Sequence, residues 1–209
     1  MTRTALALAA AAVLGGLPAV TAQAAPADSA VAQDDSADSA GPTIGGGSGI
    51  VVDGRAACTL TTIGYDNADR LVGLTAGHCG KPGATVVADA APGFGVIGRF
   101  AHSDPALDYA VIEFDPRRVN PVNRVGGTTG TSCGVTWGDL RATSTEMWTQ
   151  MCVMRGDSGA PVVHGSTLVG MVNAYLAVGC FGPEVGTTLT AITTDLDARD
   201  DIGAGYRPV

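Results

Sequence analysis

Residues 155–161 read Arg-Gly-Asp-Ser-Gly-Ala-Pro and continue into two valines. A glycine on each side of the Asp-Ser pair removes the Cβ atoms that would hinder a tight turn. The apolar residues that follow are typical of a short β-strand. This stretch therefore predicts that Ser158 is held on a tight turn directly before a strand.

Two further stretches have the same form, in which an apolar run meets a single polar side chain. Residues 74–79 read Leu-Thr-Ala-Gly-His-Cys, so strand residues lead into a small-residue turn that carries His78. Residues 106–112 read Ala-Leu-Asp-Tyr-Ala-Val-Ile and place Asp108 just before an aliphatic strand, where it can be partly buried. The order along the chain is histidine, aspartate, serine.

These three residue types are the ones that hydrolysis by a serine requires. A serine hydroxyl is a poor nucleophile at neutral pH unless a base takes its proton, and the pKa of histidine suits that task. A carboxylate fixes the histidine tautomer and stabilises the imidazolium. We therefore predict a catalytic triad of His78, Asp108 and Ser158. The main-chain N–H groups of Gly156 and Ser158 are predicted to form an oxyanion hole.

Each motif alone is also compatible with a structural role, because turns and capping positions use the same residue types. The prediction depends on all three motifs, with strand patterning around each. An α/β-hydrolase is disfavoured, since it needs Gly-x-Ser-x-Gly at a strand-to-helix turn and the order serine, acid, histidine. Here Ala160 replaces the last glycine, a strand follows, and the serine comes last.

Composition agrees with an all-β chain that is rich in turns. The 209 residues include 30 glycines, and short apolar runs recur between turn signals, whereas only residues 191–198 look helical. The formal net charge is −8 and basic residues do not cluster, so a nucleic-acid partner is not expected. The predicted strands are 57–63, 71–76, 85–88, 95–100, 110–114, 134–137, 160–163, 168–173 and 187–190.

The N-terminus reads as an export signal. Arg3 precedes an apolar run, Pro18 breaks it, and residues 22–24 fit a small-x-small cleavage pattern. A membrane helix is the alternative, but the run is too short to cross about 30 Å of hydrocarbon. We predict a cleaved signal peptide over residues 1–24, secretion, and no membrane span in the mature chain. Residues 25–43 are read as an acidic disordered linker or a short pro-segment.

The two motifs at residues 75–79 and 156–159 resemble the signatures of chymotrypsin-like serine proteases. The likeness is closer to secreted bacterial members of the streptogrisin and alpha-lytic protease type, and it covers roughly residues 44–200. It implies two six-stranded antiparallel β-barrels, over residues 44–120 and 121–209, with a short C-terminal helix and the site between the barrels. It also implies endopeptidase action on a peptide or protein, without a metal or organic cofactor.

The resemblance also implies how four of the five cysteines pair. Cys58 would bond to Cys79 beside the histidine, and Cys152 would bond to Cys180 near the serine loop. Cys133 is left over, as a free thiol or a site of intermolecular bonding. A buried, inert thiol is the preferred interpretation, and the chain is expected to be a monomer.

Arg124 occupies the place where the bacterial proteases carry an arginine that neutralises the aspartate before the serine. The resemblance therefore implies an ion pair between Arg124 and Asp157, since a buried carboxylate needs such a partner. A solvated surface arginine is the alternative.

The predicted substrate wall departs from the resembled pattern. The segment Asn173, Ala174 and Tyr175 stands where a Ser-Gly-Gly-like segment would pair with the substrate backbone, and Tyr175 would project into the pocket mouth. Cys152 sits at the pocket base and Met154 lines the pocket, so small or apolar side chains are favoured. An occluded pocket would instead fit a protease-fold binding protein that no longer cleaves, which is the rival hypothesis.

Overall fold

The computed structural model describes residues 41–123, 130–176 and 180–209. Short strands dominate these residues, and one α-helix lies near the C-terminus. In chain order the elements are β1 (Thr43–Ile44), β2 (Gly49–Val52), β3 (Ala56–Thr59), β4 (Thr62–Tyr65), β5 (Leu71–Ala76), β6 (Thr85–Ala88), β7 (Val96–Asp104), β8 (Tyr109–Phe114), β9 (Asn120–Pro121), β10 (Val135–Gly138), β11 (Glu146–Gln150), β12 (Pro161–His164), β13 (Thr167–Tyr175), β14 (Glu184–Thr188), α1 (Leu189–Arg199) and β15 (Arg207–Pro208), with 3-10 turns at Gly77–Cys79 and Pro92–Phe94.

The first sheet is antiparallel and has the strand order β15-β4-β5-β8-β7-β6-β2-β3. All six residues of β5 are buried, because this strand has neighbours on both edges and packs on both faces. A cluster of 25 buried residues forms the core of this sheet among the described residues. Helix α1 contributes Ile192 and Leu196 to that cluster. The first sheet is therefore completed by residues from the end of the chain.

The second sheet is also antiparallel, with the order β10-β11-β14-β13-β12. Its separate buried cluster is small and consists of Met147, Val153, Val162 and Val172 among the described residues. Strand β10 lies at an edge, and all four of its residues are exposed. The second sheet is thus less deeply packed than the first, within the part of the chain that the structure describes.

Pairing is already present just before the predicted barrel start at residue 44. Thr43 and Ile44 pair in parallel with Asn120 and Pro121, and Ile44 is fully buried. The N–H of Asn120 also donates to the main-chain oxygen of Pro42. Residues 41–43, assigned from the sequence to the linker, therefore belong to the folded part.

The architecture of two curled antiparallel sheets with one short helix confirms the predicted fold class. The strand numbers differ from six and six, because the described sheets have eight and five strands. The helix is longer than predicted, and it begins at Leu189 because Thr188 already caps it. Within the described ranges no helix is long and apolar enough to cross a membrane.

Candidate active site

His78 lies on a 3-10 turn directly after the buried strand β5. The next residue, Cys79, is joined to Cys58 of β3 by a disulfide. A side chain at Gly77 would meet the main chain of Asp104 and Tyr109 at 2.9 Å. The turn is therefore held by the neighbouring backbone and by the disulfide, which fixes where the imidazole leaves the sheet.

Asp108 ends the turn between β7 and β8 in a left-handed conformation, with φ of +50°. Asp is one of the few residue types with a side chain that adopts this conformation readily. Its Oδ1 accepts a hydrogen bond from the main-chain N–H of His78 at 2.8 Å, and its Oδ2 lies 2.9 Å from Nδ1 of His78. The carboxylate thus holds both the backbone and the ring of His78.

Ser158 completes a continuous series of polar contacts. Its Oγ lies 2.8 Å from Nε2 of His78, on the opposite side of the ring from Asp108. With Nδ1 facing the carboxylate, the neutral ring carries its proton on Nδ1 and leaves Nε2 as the acceptor. The geometry therefore allows His78 to accept the hydroxyl proton of Ser158.

His78 and Asp108 each shift the pKa of the other in the direction that favours its charged form. The hydrogen bond to Asp108 raises the pKa of His78, against burial, which lowers it. Burial on its own would raise the pKa of Asp108, but the hydrogen bonds and charge of His78 bring the pKa below its ordinary value. Asp108 therefore remains a carboxylate at neutral pH and stabilises a protonated His78.

Three buried threonines, on β3, on β5 and in the connection between β3 and β4, hold the serine loop. The Oγ1 of Thr59 donates to the main-chain oxygen of Gly156 at 2.8 Å, and its N–H donates to that of Ser158, also at 2.8 Å. Thr61 Oγ1 donates to the oxygen of Gly159 at 2.7 Å. Thr75 Oγ1 donates in turn to the oxygen of Thr59. These contacts tie the serine loop to the strands beside His78, and no local sequence signal indicated them.

The two glycines that flank Asp157 and Ser158 allow backbone conformations and close contacts that a residue with a Cβ would not. Gly156 has φ of +103°, and a Cβ on Gly159 would lie 2.2 Å from the oxygen of Thr59. Within the described residues, neither the N–H of Gly156 nor that of Ser158 donates a hydrogen bond. Both N–H groups are therefore available to an oxygen placed beside Ser158.

Asn173, one of the residues predicted for the substrate wall, also contacts the turn that carries Asp108. Its side chain is buried, and Nδ2 donates to the main-chain oxygen of Asp108 at 2.6 Å. The hydroxyl of Thr187 lies 3.1 Å from Oδ1 of Asn173 and 2.6 Å from the oxygen of Leu107. The second sheet therefore supports the turn that presents Asp108, a role that the sequence did not suggest.

A cleft of about 540 Å³ surrounds His78 and Ser158. Of the predicted pocket residues, Met154, Asn173, Ala174 and Tyr175 line this cleft. Cys152 lies instead on an adjoining cavity of about 350 Å³, which shares Met154 with the cleft. The predicted pocket is thus divided between two neighbouring cavities.

The structure contains a second disulfide, between Cys152 and Cys180. Cys133 has a free thiol, but it is exposed, so the prediction of a buried thiol is wrong. It precedes the exposed edge strand β10, and nothing in the described chain covers it. Arg124 lies outside the described residues, so its pairing with Asp157 stays a prediction. Asp157 is buried and accepts a hydrogen bond from the N–H of Met154 at 2.8 Å.

One group outside the cleft has the composition of a metal site. A ring nitrogen of His102 and carboxylate oxygens of Asp104 and Asp195 lie within 4.8 Å of one another. Imidazole and carboxylate are ligands that zinc accepts. None of the three residues lines the cleft. The sequence did not suggest this group, because Asp195 is distant in the chain.

The fold is similar to that of solved bacterial proteases. Nocardiopsis protease is 20% identical, with a TM-score of 0.61, over 73% of this chain and 96% of that chain. Thermobifida fusca protease A is 20% identical, with a TM-score of 0.59, over 80% of this chain and 100% of that chain. Cellulomonas bogoriensis chymotrypsin is 24% identical, with a TM-score of 0.52, over 80% of this chain and 98% of that chain. No family model matches the chain, and no curated protein matches its sequence.

The chain therefore has the fold of the chymotrypsin-like bacterial serine proteases. At these identities the likeness establishes the fold. The chemistry has to be argued from the residues of the site itself.

Proposed function

We propose that this protein is a secreted serine endopeptidase that hydrolyses peptide bonds through an acyl-enzyme intermediate. The observation that carries the proposal is the continuous contact from Asp108 through both nitrogens of His78 to Oγ of Ser158, at 2.9 and 2.8 Å. This arrangement suits a nucleophile, a general base and a group that orients the base. Secretion rests on the predicted signal peptide and is compatible with the two disulfides.

In the proposed reaction, Ser158 attacks the carbonyl carbon while His78 takes its proton. The negative oxygen that forms is stabilised by the N–H groups of Gly156 and Ser158. His78 then gives the proton to the leaving amine, and the C–N bond breaks. Water attacks the resulting ester with His78 again as the base, which releases the acid and restores Ser158.

Arg124 is proposed to neutralise Asp157, which is 5% exposed and directly precedes Ser158. Bringing a carboxylate into such a position requires compensating charge or hydrogen bonds. The Arg124→Ala variant should therefore lose activity, and full activity in that variant would refute the pairing.

The cleft supports a preference for small or apolar side chains before the cleaved bond. Met154 and Tyr175 line it, and the described lining contains no carboxylate that would bind a lysine or arginine side chain. Apolar walls favour apolar side chains because binding removes both surfaces from water. Profiling of products from a random peptide library would test this preference.

The proposed activity is tested with a fluorophosphonate probe and a peptide library on the oxidised protein. We expect labelling of Ser158 and cleavage of peptides, and a loss of about 10⁶-fold in kcat for Ser158→Ala. Ser166→Ala, in an exposed turn, is the matched control and should remain active.

Two outcomes would contradict the proposal. Absence of labelling in correctly oxidised protein would show that the serine is not activated. Labelling of Ser158 without cleavage of any library member would favour the rival role of a binding protein with a protease fold.

A further inference from the structure

The cleft around Ser158 differs in charge from the rest of the protein. Its described lining contains the arginines Arg55 and Arg155, besides His78, and no aspartate or glutamate. The whole chain has a formal net charge of −8. The charged side chains that line the place where a substrate would bind are thus basic, although Asp53 lies close enough to Arg55 to interact with its charge.

Both arginines are on the side of the serine loop that faces strand β3. Arg155 precedes Gly156, and a Cβ on Gly156 would lie 4.0 Å from Cβ of Ala57. Arg55 directly precedes β3, which pairs with the serine loop through the hydrogen bond from the N–H of Thr59 to the oxygen of Ser158. The two arginines therefore border the same part of the cleft.

This part of the cleft is the one left for the leaving group. Under the proposed function, the acyl portion of the substrate lies along the end of β13, at Ala174 and Tyr175. The substrate chain runs in opposite directions from the two ends of a peptide bond held at Ser158 Oγ. The part that follows the bond, which leaves as the amine, therefore runs away from that wall and toward β3. The first residues after the cleaved bond would then pass between Arg55 and Arg155.

The two guanidinium groups are available for a ligand. Both side chains are exposed, and neither forms an ion pair within the described residues. Arginine presents its donors in a planar fork that matches a carboxylate.

We propose that Arg55 and Arg155 form a subsite for an acidic side chain on the leaving-group side of the cleaved bond. The substrate class is accordingly a polypeptide with Asp or Glu at the first or second position after that bond. This inference rests on the proposed endopeptidase function and adds a charge preference to it. A solvent-exposed ion pair contributes modestly, so the preference is a bias rather than an absolute requirement.

The test uses peptides that are identical except for Glu, Gln or Lys at one position after the cleaved bond. We expect kcat/KM to follow the order Glu, Gln, Lys, with Glu about fivefold above Gln at low salt. The ratio of Glu to Gln should fall toward one as salt is raised, because salt screens exposed charges. This salt series needs no variant and is unaffected by problems of folding.

Variants of single arginines show which side chains cause the preference for Glu over Gln. Arg55→Ala and Arg155→Ala should each bring the ratio of Glu to Gln closer to one, whereas Arg117→Ala should leave it unchanged. Arg117 is the matched control because it is exposed and does not line the cleft. The proposal is overturned by a ratio of one in the unmodified protein, or by a ratio that neither cleft variant alters.

A binding experiment separates this inference from the proposed activity. Peptides that correspond to the leaving group, with Glu or Gln near a free amino terminus, are titrated into the Ser158→Ala protein. Tighter binding of the Glu peptide supports the subsite even if no peptide is ever cleaved, in which case the endopeptidase proposal fails alone. Equal binding of the two peptides overturns the subsite.

Discussion

The two sheets hold their parts of the candidate site in different ways. His78 and Asp108 stand at the ends of β5 and β8, which are paired strands inside a cluster of 25 buried residues. Ser158 lies in a loop before β12, beside a described cluster of only four. Its loop is held by hydrogen bonds to Thr59 of β3, to Thr61 in the connection between β3 and β4, and to Val172 of β13. The base is thus fixed by packing, and the nucleophile is fixed by contacts between the sheets.

After the loss of Ser158 itself, the largest effect is expected for Asp108, which belongs to the part of the site that packing fixes. Asp108→Asn should lower kcat by about 10⁴-fold, since the amide no longer selects the required tautomer of His78. Because His78 acts as a base only when neutral, activity should fall as the pH drops through its pKa, which Asp108 raises above the ordinary value. The acidic limb of the pH profile should therefore lie at lower pH in the variant.

A pH–rate profile of kcat/KM for both proteins measures this difference. Asp200→Asn at the exposed end of α1 is the control, because Asn also adopts the left-handed conformation of that residue. Activity of Asp108→Asn within tenfold of the unmodified protein would contradict the role assigned to the carboxylate.

Because the two sheets are packed differently, the same substitution should lower the free energy of unfolding by different amounts in each. Val72→Ala removes a fully buried side chain from β5, and Val162→Ala removes one that is 7% exposed from the small cluster. We expect the free energy of unfolding to fall by about 2.5 kcal/mol for Val72 and by about 1 kcal/mol for Val162. Urea titrations of both variants measure these losses. Equal losses would show that the second sheet is packed as firmly as the first.

The contacts between the sheets can be weakened without creating a cavity. Thr61→Val keeps the shape of a side chain that is 1% exposed but leaves the oxygen of Gly159 without its donor. The free energy of unfolding should fall by about 1–3 kcal/mol. Since Ser158 is then less well placed, kcat should fall more than KM changes. Thr167→Val on an exposed strand position is the control, and equal kinetics in both variants would argue against a positioning role for Thr61.

The smallest effect concerns the helix that joins the first core. Thr188 accepts a hydrogen bond from the N–H of Ala191 at 3.2 Å and so caps α1. Thr188→Ala should cost about 1 kcal/mol of stability in thermal or urea unfolding. Thr188→Ser keeps the accepting oxygen and should retain most of that stability. If both variants unfold alike, the cap contributes nothing to how α1 is held.

The three motif residues could be predicted because each stands where an apolar strand meets a turn, a pattern that is visible locally. Their supports could not be predicted in the same way. Thr61 bonds to a carbonyl 98 residues later in the chain, and the amide of Asn173 reaches Asp108 across 65 residues. Such contacts depend on how two sheets face each other, and hydrophobic periodicity carries no information on that.

Two features at the edges of the sheets were also missed from the sequence. Cys133 was expected to be a buried, inert thiol, but its exposure follows from its place beside an edge strand. One strand of the first sheet that no sequence pattern indicated is β15, which is only two residues long and joins β4 from a distant part of the chain. Short pairings of this kind are stabilised by the surrounding fold and leave no pattern of their own.

The pairing of β15 with β4 also limits how the first sheet can be completed. Arg207 lies opposite Tyr65, so this edge of β4 stays unpaired until a segment that follows Ser158 in the chain reaches it. Ile192 and Leu196 of the same core also follow Ser158 in the chain. The half that carries His78 and Asp108 is therefore completed only by residues from beyond the nucleophile, whichever part folds first.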